Sequence, residues 1–493
     1  MTMRKLQAHL MHQRGHLNKA FSKCIGVGRA GELMRAPVMK QLLQILQDCP
    51  FEYIRFHGIF HEEMNVVRRD ENGNLKFCFF YTDMLFDMLL ENNIRPVCEL
   101  GLMPDIMASE QKYVFRWKMN ISMPKEISEW EMRIDAFVRH LTERYGEEEI
   151  KKWYFEVWNE PNHHGFFTEN KSPDAYFKLY EAAARTIKSI CTEYKVGGPA
   201  SAGMVWVDET ITHCRKNNIP IDFITSHSYG AKGDFDPEGN AITVIKNVDK
   251  VSGEIRVYGE KCRKENLPFI ITEWSSSYSP TDPVHDHYFS APYLLRTLKR
   301  SEGFADMLSY WVFTDIFEEN SPPTEPFHGG FGLMTVHSVP KPVYHAYSFL
   351  SCLGETELDG GDENSYICKS ENGVQVLFWN ISTQQERIDN KKYFIGEIPC
   401  ESVGHTQIVL DGFEAGKKYT VIHRVIGKNS GDPLSLYKTG KYGKLTTREQ
   451  VAMLIKDSKP REKVFRDTAN SSGTLEFTFE QHENQVDLLE IAL

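Results

Sequence analysis

The sequence predicts an α/β fold in which a (β/α)8 TIM barrel is followed by a smaller antiparallel β-sandwich domain. Eight short apolar segments alternate with amphipathic segments over the first two-thirds of the chain. Their starts lie about 41 residues apart on average, the length that one strand and one helix of such a barrel need. After about residue 350 the pattern changes to short alternating segments. The 493 residues fit one barrel plus one module, although the length alone also fits three ordinary domains.

The barrel elements are predicted from apolar runs and helical periodicity. The strand candidates are Cys24–Gly28, Tyr53–His57, Ile94–Leu100, Trp153–Asn159, Tyr194–Gly197, Asp222–His227, Pro268–Glu273 and Ser309–Thr314. The helix candidates are Ala36–Gln47, Thr82–Asn92, Glu129–Tyr145, Ala175–Thr192, Val207–Asn217, Val244–Glu265 and Pro292–Ser301. In Glu129–Tyr145, apolar residues recur at helical spacing, which predicts one face packed on the barrel.

The predicted catalytic barrel spans residues 21–350 and the accessory sandwich spans 351–493. Residues 1–20 either join the sandwich or extend from it. Strand candidates in the tail are Ser365–Lys369, Val374–Trp379, His405–Leu410, Tyr419–Val425 and Thr474–Phe479. Turn signals such as Asp359-Gly360-Gly361 and Asp411-Gly412 separate them, as in an antiparallel sheet.

Composition excludes several classes of function. The formal net charge is −11, and without a basic patch an acidic chain is a poor partner for nucleic acid. No run of about 18 apolar residues predicts a membrane helix, and the N-terminus lacks the apolar core of a signal peptide. The ten cysteines show no CxxC spacing, which favours buried reduced thiols. These features predict a cytoplasmic protein that acts on small imported substrates.

The strongest chemical signal is the segment Asn159-Glu160-Pro161. It directly follows an apolar strand candidate, and Pro161 ends the strand ladder. In a barrel the chemistry lies at the carboxyl ends of the strands, so Glu160 is placed at the barrel mouth. Taken alone, the same glutamate fits a surface salt bridge equally well.

A second apolar strand candidate, Pro268–Glu273, also ends in a glutamate. Glu273 lies about three strand-plus-helix units after Glu160, which places the two carboxyl groups on strands four and seven of one rim. Glycoside hydrolysis needs two carboxyl groups, a protonated one that donates to the leaving oxygen and an ionised one that attacks the anomeric carbon. The pair therefore predicts a glycosidase.

Other polar and aromatic residues follow the remaining strand candidates. They are His57, Glu99, His227, Tyr229, Trp311, Glu318 and Glu319. A sugar needs hydrogen-bond partners for its hydroxyl groups and an aromatic surface for its C–H face. Asn159 is suited to the sugar 2-hydroxyl, and Tyr229 to a hydrogen bond with Glu273. For each single residue, ordinary packing at the rim competes with this interpretation.

Two motifs suggest other chemistry and are set aside. Gly26-Val-Gly28-Arg-Ala-Gly31 matches a dinucleotide fingerprint, but the strand before it is weak and the eightfold spacing disagrees with an open sheet. We interpret it as a tight glycine turn at the rim. His57 and His61 are four residues apart but lie at a strand end, where such residues do not share a face. No metal and no cofactor is therefore expected.

The chain resembles glycoside hydrolase family 39, within the clan of (β/α)8 retaining glycosidases, and it is most similar to the bacterial β-xylosidases of that family. The resemblance rests on Asn159-Glu160-Pro161, Tyr53-Ile-Arg-Phe-His57-Gly58, Val97-Cys-Glu99-Leu-Gly-Leu-Met-Pro104, Thr272-Glu273-Trp-Ser-Ser-Ser-Tyr278-Ser-Pro280, Val284-His285-Asp286 and Phe327-His328-Gly-Gly-Phe331-Gly332. It covers about residues 24 to 350. Many relatives are expected to carry Tyr where this chain has Trp274, a position that bears on specificity.

The resemblance implies Glu160 as acid/base, Glu273 as nucleophile, and Asn159, His57, His227, Tyr229 and Glu319 as sugar contacts. We expect a retaining exo-β-xylosidase that releases xylose from the non-reducing end of xylo-oligosaccharides. An α-L-iduronidase, an α-L-arabinosidase, a β-galactosidase and a non-catalytic sugar-binding protein remain alternatives. A homo-oligomer is compatible with the sequence, which does not fix its order.

Overall fold

The computed structural model describes residues 3–383, 388–396, 398 and 400–493. Eight parallel strands form a closed barrel. They are Cys24–Arg29, Tyr53–His57, Arg95–Glu99, Tyr154–Glu156, Lys195–Ala202, Phe223–Tyr229, Phe269–Ser275 and Met307–Tyr310, numbered here as barrel strands one to eight. The eight strand candidates of the barrel are therefore confirmed; Tyr53–His57 keeps its predicted bounds and the others have shifted ends.

Helices follow the strands around the outside of the barrel. They are Ala30–Leu33, Ala36–Asp48, Phe80–Glu91, Ile127–Tyr145, Glu147–Ile150, Asp174–Ile190, Val207–Lys216, Lys250–Lys264, Ser290–Ser301 and Pro342–Ser351. Ile127–Tyr145 buries Trp130, Ile134, Phe137, Val138 and Leu141, the face that the periodicity predicts. It ends at Gly146, which has a φ of 84° and donates its N–H to Thr142 O.

The loops contain short hairpins and 3-10 turns. The hairpins pair Val67–Arg69 with Leu75–Phe77, Tyr113–Val114 with Met119–Asn120, and Lys232–Phe235 with Ala241–Val244. The 3-10 turns are Ala20–Ser22, Glu62–Met64 and Pro283–His285. The third hairpin takes up the start of the helix predicted at Val244–Glu265, and that helix begins at Lys250 instead.

Two further sheets lie outside the barrel. One has the strands Met3–His9, Ser402–Asp411 and Thr474–His482; the other has Gln13–His16, Thr356–Leu358, Ser365–Lys369, Gly373–Trp379, Val486–Ala492, Lys418–Ile426 and Arg461–Thr468. Residues of both sheets share one apolar core, for example Leu6 and Ile408 with Val376 and Leu489. Three helices, Asn390–Ile395, Pro433–Lys438 and Arg448–Asp457, belong to the same part of the chain.

Met3–His9 pairs with Ser402–Asp411 in parallel, whereas the described strands of the tail pair with one another in antiparallel fashion, as predicted. The described part of residues 1–20 therefore contributes a strand to each of the two sheets, Met3–His9 and Gln13–His16. Local pattern could not reveal this, because the pairing joins segments about 400 residues apart in sequence.

The barrel interior changes from apolar to ionic toward its carboxyl end. Inward-facing Cys24, Val97, Phe223, Ile270 and Met307 form an apolar layer near the amino ends of the strands. Arg55, Glu99 and Glu156 lie buried further along their strands. Side chains alternate along a strand, so Arg55 and His57 point to the same inner face. The apolar layer therefore fills the barrel near the amino ends of the strands. The buried residues Arg55, Glu99 and Glu156, which we call the polar floor, lie between this layer and the barrel mouth.

The glycines of the dinucleotide-like motif do not form a turn. Gly26 and Gly28 lie inside barrel strand one, and Gly31 lies in the short helix Ala30–Leu33. A Cβ at Gly28 would lie 2.2 Å from Glu32 Oε2, and one at Gly31 would lie 2.3 Å from Glu63 Oε2. A side chain at either position would therefore have to displace an acidic neighbour, and our interpretation as a rim turn is wrong.

All ten cysteines have free thiols, and six of them are buried. Burial raises the pKa of Cys24 to about 12, which keeps that thiol protonated. Within the described ranges, no helix combines the length and the apolar character that crossing a membrane requires.

Candidate active site

Glu160 lies beyond the end of barrel strand four, in a left-handed backbone conformation. The strand stops at Glu156, earlier than predicted, because Trp158 and Glu160 have φ values of 71° and 44°. Such values are costly for residues with a Cβ and are often found at functional sites. The Glu160 N–H donates to Ala200 O over 2.9 Å, and Trp158 Nε1 donates to Phe166 O over 3.0 Å. These contacts hold the turn that aims the glutamate.

Glu273 lies inside barrel strand seven, next to an irregularity in the sheet. The pairing with strand six shifts register between Ser226 and His227, so that His227 is paired with Glu273. Bulges of this kind re-aim side chains and are common beside active sites. The shift brings His227 and Glu273 to the barrel mouth side by side.

The two glutamates lie close together, as predicted. His227 Nδ1 is 2.8 Å from Glu160 Oε1 and 3.5 Å from Glu273 Oε2. One carboxylate oxygen of each glutamate and one nitrogen of His227 all lie within 4.8 Å of one another. A cation could bridge such a group, but Arg55 and Tyr229 already contact the two oxygens of Glu273. The arrangement therefore fits carboxyl chemistry better than metal binding.

The surroundings of the two carboxyl groups differ. Glu160 is 9% exposed, and burial raises its pKa to about 7. Glu273 receives donors on both oxygens: the Arg55 guanidinium contacts Oε1, and the Tyr229 hydroxyl donates to Oε2 over 2.7 Å. Donors to a carboxylate stabilise its ionised form. One carboxyl group is thus suited to holding a proton and the other to staying ionised.

Arg55 is the centre of the buried ionic layer. Its Nε donates to Glu156 Oε2 over 2.9 Å, and its Nη2 donates to Asn159 Oδ1 over 2.8 Å. The Thr272 hydroxyl donates to the other oxygen of Glu156 over 2.8 Å. Burial acts to lower the pKa of Arg55, but the surrounding carboxylates, led by Glu156, raise it overall. Our sequence reasoning missed Arg55, although it stands two residues before His57 on the same inner face.

Replacing Arg55 with Met is expected to lower the free energy of unfolding by about 3–5 kcal/mol, because three buried carboxyl groups lose the cation that they share. Urea denaturation followed by tryptophan fluorescence measures this. Arg139→Met is the matched control, since its ion pair with Asp135 is exposed and should contribute no more than about 1 kcal/mol. Equal small losses in both variants would contradict a structural role for Arg55.

His57 and His227 are buried and neutral. Burial lowers the pKa of His57 to about 3, and the Arg55 charge acts in the same direction. Burial also lowers the pKa of His227 to about 4. His57 Nδ1 lies 2.5 Å from Glu99 Oε2, and its ring lies 4.9 Å from the Trp311 ring. Each ring therefore acts at neutral pH as one donor and one acceptor.

A cavity of about 650 Å³ opens above these groups. Six of the eight predicted site residues line it: His57, Glu160, Tyr229, Glu273, Trp311 and Glu319. Asn159 and His227 lie behind the wall, where they contact Arg55 and Glu160. Glu318 turns away and pairs with Arg29 and Arg35. The structure thus brings the predicted residues to one site, with two of them in supporting positions.

Loops supply lining residues that sequence reasoning did not find. His163 and Phe166 follow barrel strand four, Tyr278 follows strand seven, and Lys232 belongs to the third hairpin. Phe331 comes from the long segment after strand eight. No periodic pattern marks loop residues of this kind, and only Tyr278 and Phe331 stand in the motifs quoted for the resemblance.

Glu319 is anchored through its backbone. The Arg116 N–H donates to its backbone oxygen over 2.7 Å. Next to Arg116, Phe115 stacks on Trp117 with ring centroids 5.2 Å apart, and Phe115 packs against Phe166 at 5.5 Å. Burial, with the nearby Glu273 charge, raises the pKa of Glu319 well above its ordinary value. Phe115, Trp117 and Phe166 therefore form an aromatic cluster beside this segment, and Phe166 of that cluster lines the cavity.

Comparisons with known proteins agree with the resemblance seen in the sequence. The family model of glycosyl hydrolases family 39 matches residues 5–476. The chain is 37% identical over 481 residues to a β-xylosidase of Caldicellulosiruptor saccharolyticus, covering 94% of this chain and 93% of that protein.

Two solved structures share the whole fold. A family 39 enzyme from Xanthomonas axonopodis pv. citri has a TM-score of 0.94 at 36% identity, covering 99% of this chain and 97% of that one. A monomeric β-xylosidase from Caulobacter crescentus CB15 has a TM-score of 0.93 at 34% identity, covering 99% of both chains. The predicted family and the predicted barrel are confirmed.

Proposed function

The chain belongs to family 39 of the glycosyl hydrolases, and from this we propose that it is a β-xylosidase that releases xylose from the non-reducing end of xylo-oligosaccharides. The observation that carries the proposal is the pair Glu160 and Glu273, two carboxyl groups within reach of one another at one cavity and in different surroundings. The similarity to β-xylosidases over most of the chain supports the choice of sugar.

In the proposed reaction the two glutamates act in two steps. A Glu273 oxygen forms a bond to the anomeric carbon while the bond between that carbon and the leaving oxygen breaks. The leaving oxygen takes the proton of Glu160. The ionised Glu160 then removes a proton from water, whose oxygen replaces Glu273 at the anomeric carbon. The proton returns to Glu160 and the sugar leaves, so the cycle needs no cofactor.

The distance between the carboxyl groups favours retention of configuration. Retaining enzymes hold their carboxyl groups about 5–5.5 Å apart and inverting enzymes about 6.5–9.5 Å, because an inverting enzyme places a water between them. An oxygen of Glu160 and an oxygen of Glu273 lie within 4.8 Å of each other, which is nearer to the retaining separation than to the inverting one. Tyr229 and Arg55 support this assignment by stabilising the Glu273 carboxylate.

We propose His57, Trp311, Tyr229 and Glu319 as the residues that contact the sugar directly. Asn159 and His227 support the site through Arg55 and Glu160, in addition to the sugar contacts that the resemblance implies.

We further propose a catalytic unit over residues 21–350 and an accessory unit over 351–493, with residues 1–20 part of the accessory unit. The strand pairing of Met3–His9 with Ser402–Asp411 supports the last point. Free thiols at all ten cysteines support a location in the reducing cytoplasm.

A panel of nitrophenyl glycosides tests the substrate. We expect the β-xyloside to be hydrolysed with a kcat/KM at least about tenfold above the α-L-arabinoside, the β-galactoside and the α-L-iduronide, since the cavity has to discriminate by ring substituents. If another glycoside is hydrolysed and the β-xyloside is not, the proposed substrate is wrong and the hydrolysed glycoside takes its place. Binding of xylose without turnover of any glycoside would favour a sugar-binding protein.

A further inference from the structure

Glu99, at the end of barrel strand three, has no part in the reaction proposed above. It is 1% exposed, and its Oε2 lies 2.5 Å from His57 Nδ1 and 2.9 Å from Arg55 Nη2. Its Oε1 is a buried atom without a hydrogen-bond partner in the described part of the chain. A carboxyl group that uses a single oxygen for two partners needs an explanation.

One buried cation serves three carboxyl groups at this place. Arg55 contacts Glu99, Glu156 and Glu273. If all three were ionised, the cluster would hold two uncompensated negative charges away from water, which burial strongly disfavours. The neighbouring His57 and His227 are neutral and do not supply the missing positive charge. At least one of the three carboxyl groups therefore keeps its proton.

The hydrogen-bond partners single out Glu99 as the protonated one. Glu156 receives Arg55 on one oxygen and the Thr272 hydroxyl on the other. Glu273 likewise receives Arg55 and Tyr229. A carboxylate needs donors on both oxygens when it is buried, and Glu99 lacks one on Oε1. Burial also raises the pKa of Glu99 to about 8.

We propose that Glu99 is a positioning residue whose Oε2 carries a proton and donates it to His57 Nδ1, so that His57 keeps its own hydrogen on Nε2. That nitrogen lies 3.6 Å from Glu273 Oε1 and belongs to the cavity wall. In the other tautomer a lone pair would face the Glu273 carboxylate. The value of this N–H to the reaction rests on the proposed function, whereas the position of the proton does not.

The variant Glu99→Gln separates this proposal from the reverse arrangement. A hydroxyl group at Oε2 can place its oxygen against the Arg55 cation and donate its proton to His57 at the same time, whereas an amide NH2 group that donated to His57 would face that cation. In Glu99→Gln the amide oxygen should therefore face Arg55, and His57 must then carry its hydrogen on Nδ1 to donate to that oxygen. We expect a 10- to 100-fold lower kcat/KM for a β-xyloside, the size typical of a lost orienting partner of histidine.

Nitrogen-15 NMR of histidine-labelled protein reads the tautomer directly, with the His57 signal assigned from its loss in His57→Gln. We expect the neutral form with hydrogen on Nε2 in the wild type and on Nδ1 in Glu99→Gln. An imidazolium or an Nδ1–H form in the wild type would overturn the proposal. So would full activity in Glu99→Gln, because an ionised Glu99 that only accepts is replaced by Gln without loss.

Glu156→Gln is the matched control. It removes another carboxyl group beside Arg55, one that is hydrogen-bonded to Arg55 and Thr272 rather than to His57 Nδ1, so its His57 spectrum should keep the wild-type tautomer. A changed tautomer in this control too would contradict a specific role for Glu99. If Glu99→Gln fails to fold, the wild-type spectrum still decides the proton position. It does so whether or not the protein hydrolyses xylosides, so failure of this proposal and of the proposed function are distinguishable.

Discussion

Replacing Glu273 with Ala is expected to lower kcat for a nitrophenyl β-xyloside by on the order of 10⁵-fold, because the variant lacks the atom that, in the proposed reaction, forms the bond to the anomeric carbon. The fold should survive, since the side chain lies at the edge of the cavity and is 5% exposed. Steady-state hydrolysis and the circular dichroism spectrum measure the two effects separately.

Azide makes this prediction specific. A small anion can enter the space left by the carboxylate and attack the anomeric carbon from the same side, which gives a glycosyl azide of inverted configuration. We therefore expect partial recovery of turnover in Glu273→Ala and an α-xylosyl azide by proton NMR. In the wild type the first product of a β-xyloside should be β-xylose, in keeping with retention.

Glu254→Ala serves as the comparison, because this carboxyl group lines the same cavity but is engaged with Ser228 and Lys250. It should lose far less activity and should not respond to azide. Wild-type turnover in Glu273→Ala would show that the nucleophile is another residue. An azide product of retained configuration would contradict the proposed side of attack.

The barrel could be predicted because its signals are local. Each strand is a short apolar run, and each helix shows its own buried face, so neither depends on distant residues. The glutamate pair was predictable for the same reason, since Glu160 and Glu273 follow such runs directly. The sequence did not predict the path of the backbone at the ends of the strands. The early end of strand four depends on positive φ values at Trp158 and Glu160, which no propensity signals in these residue types.

The polar floor could not be predicted from the sequence, because its charged residues stand at barrel positions that are usually apolar. Arg55, Glu99 and Glu156 occupy inner positions of a barrel, where apolar residues are the norm, and only their mutual pairing makes that burial tolerable. A single sequence does not reveal pairings between strands two, three and four. A single sequence likewise does not reveal that the strand Met3–His9 pairs with the distant strand Ser402–Asp411.

Glu160→Ala is expected to affect substrates according to how much their leaving group needs a proton. For xylobiose, whose leaving group is an alcohol, kcat/KM should fall by about 10³- to 10⁴-fold. For 2,4-dinitrophenyl β-xyloside it should change little, because that leaving group departs without protonation. Glu160→Gln should show the same dependence on the leaving group as Glu160→Ala, although it keeps a side chain that can contact His227. The pair of variants therefore separates the loss of the acidic proton from the loss of the side chain.

The pH dependence follows from the same proton. Burial raises the pKa of Glu160 to about 7, so the group is protonated below this pH and ionised above it. As the pH rises, kcat/KM of the wild type for xylobiose should therefore fall about tenfold per pH unit above that pKa. In Glu160→Ala this alkaline decline should disappear, since no acid remains to titrate there.

Azide distinguishes the two glutamates by the configuration of its product. In Glu160→Ala the first step leaves a glycosyl-enzyme on Glu273, and azide attacks it from the face that water would use. We expect a β-xylosyl azide, opposite to the α product of Glu273→Ala. If both variants gave the same anomer, or if Glu160→Ala lost activity equally for every leaving group, the two roles could not be divided as proposed. Opposite anomers would tie each carboxyl group to its own face of the sugar, which fold similarity alone cannot do.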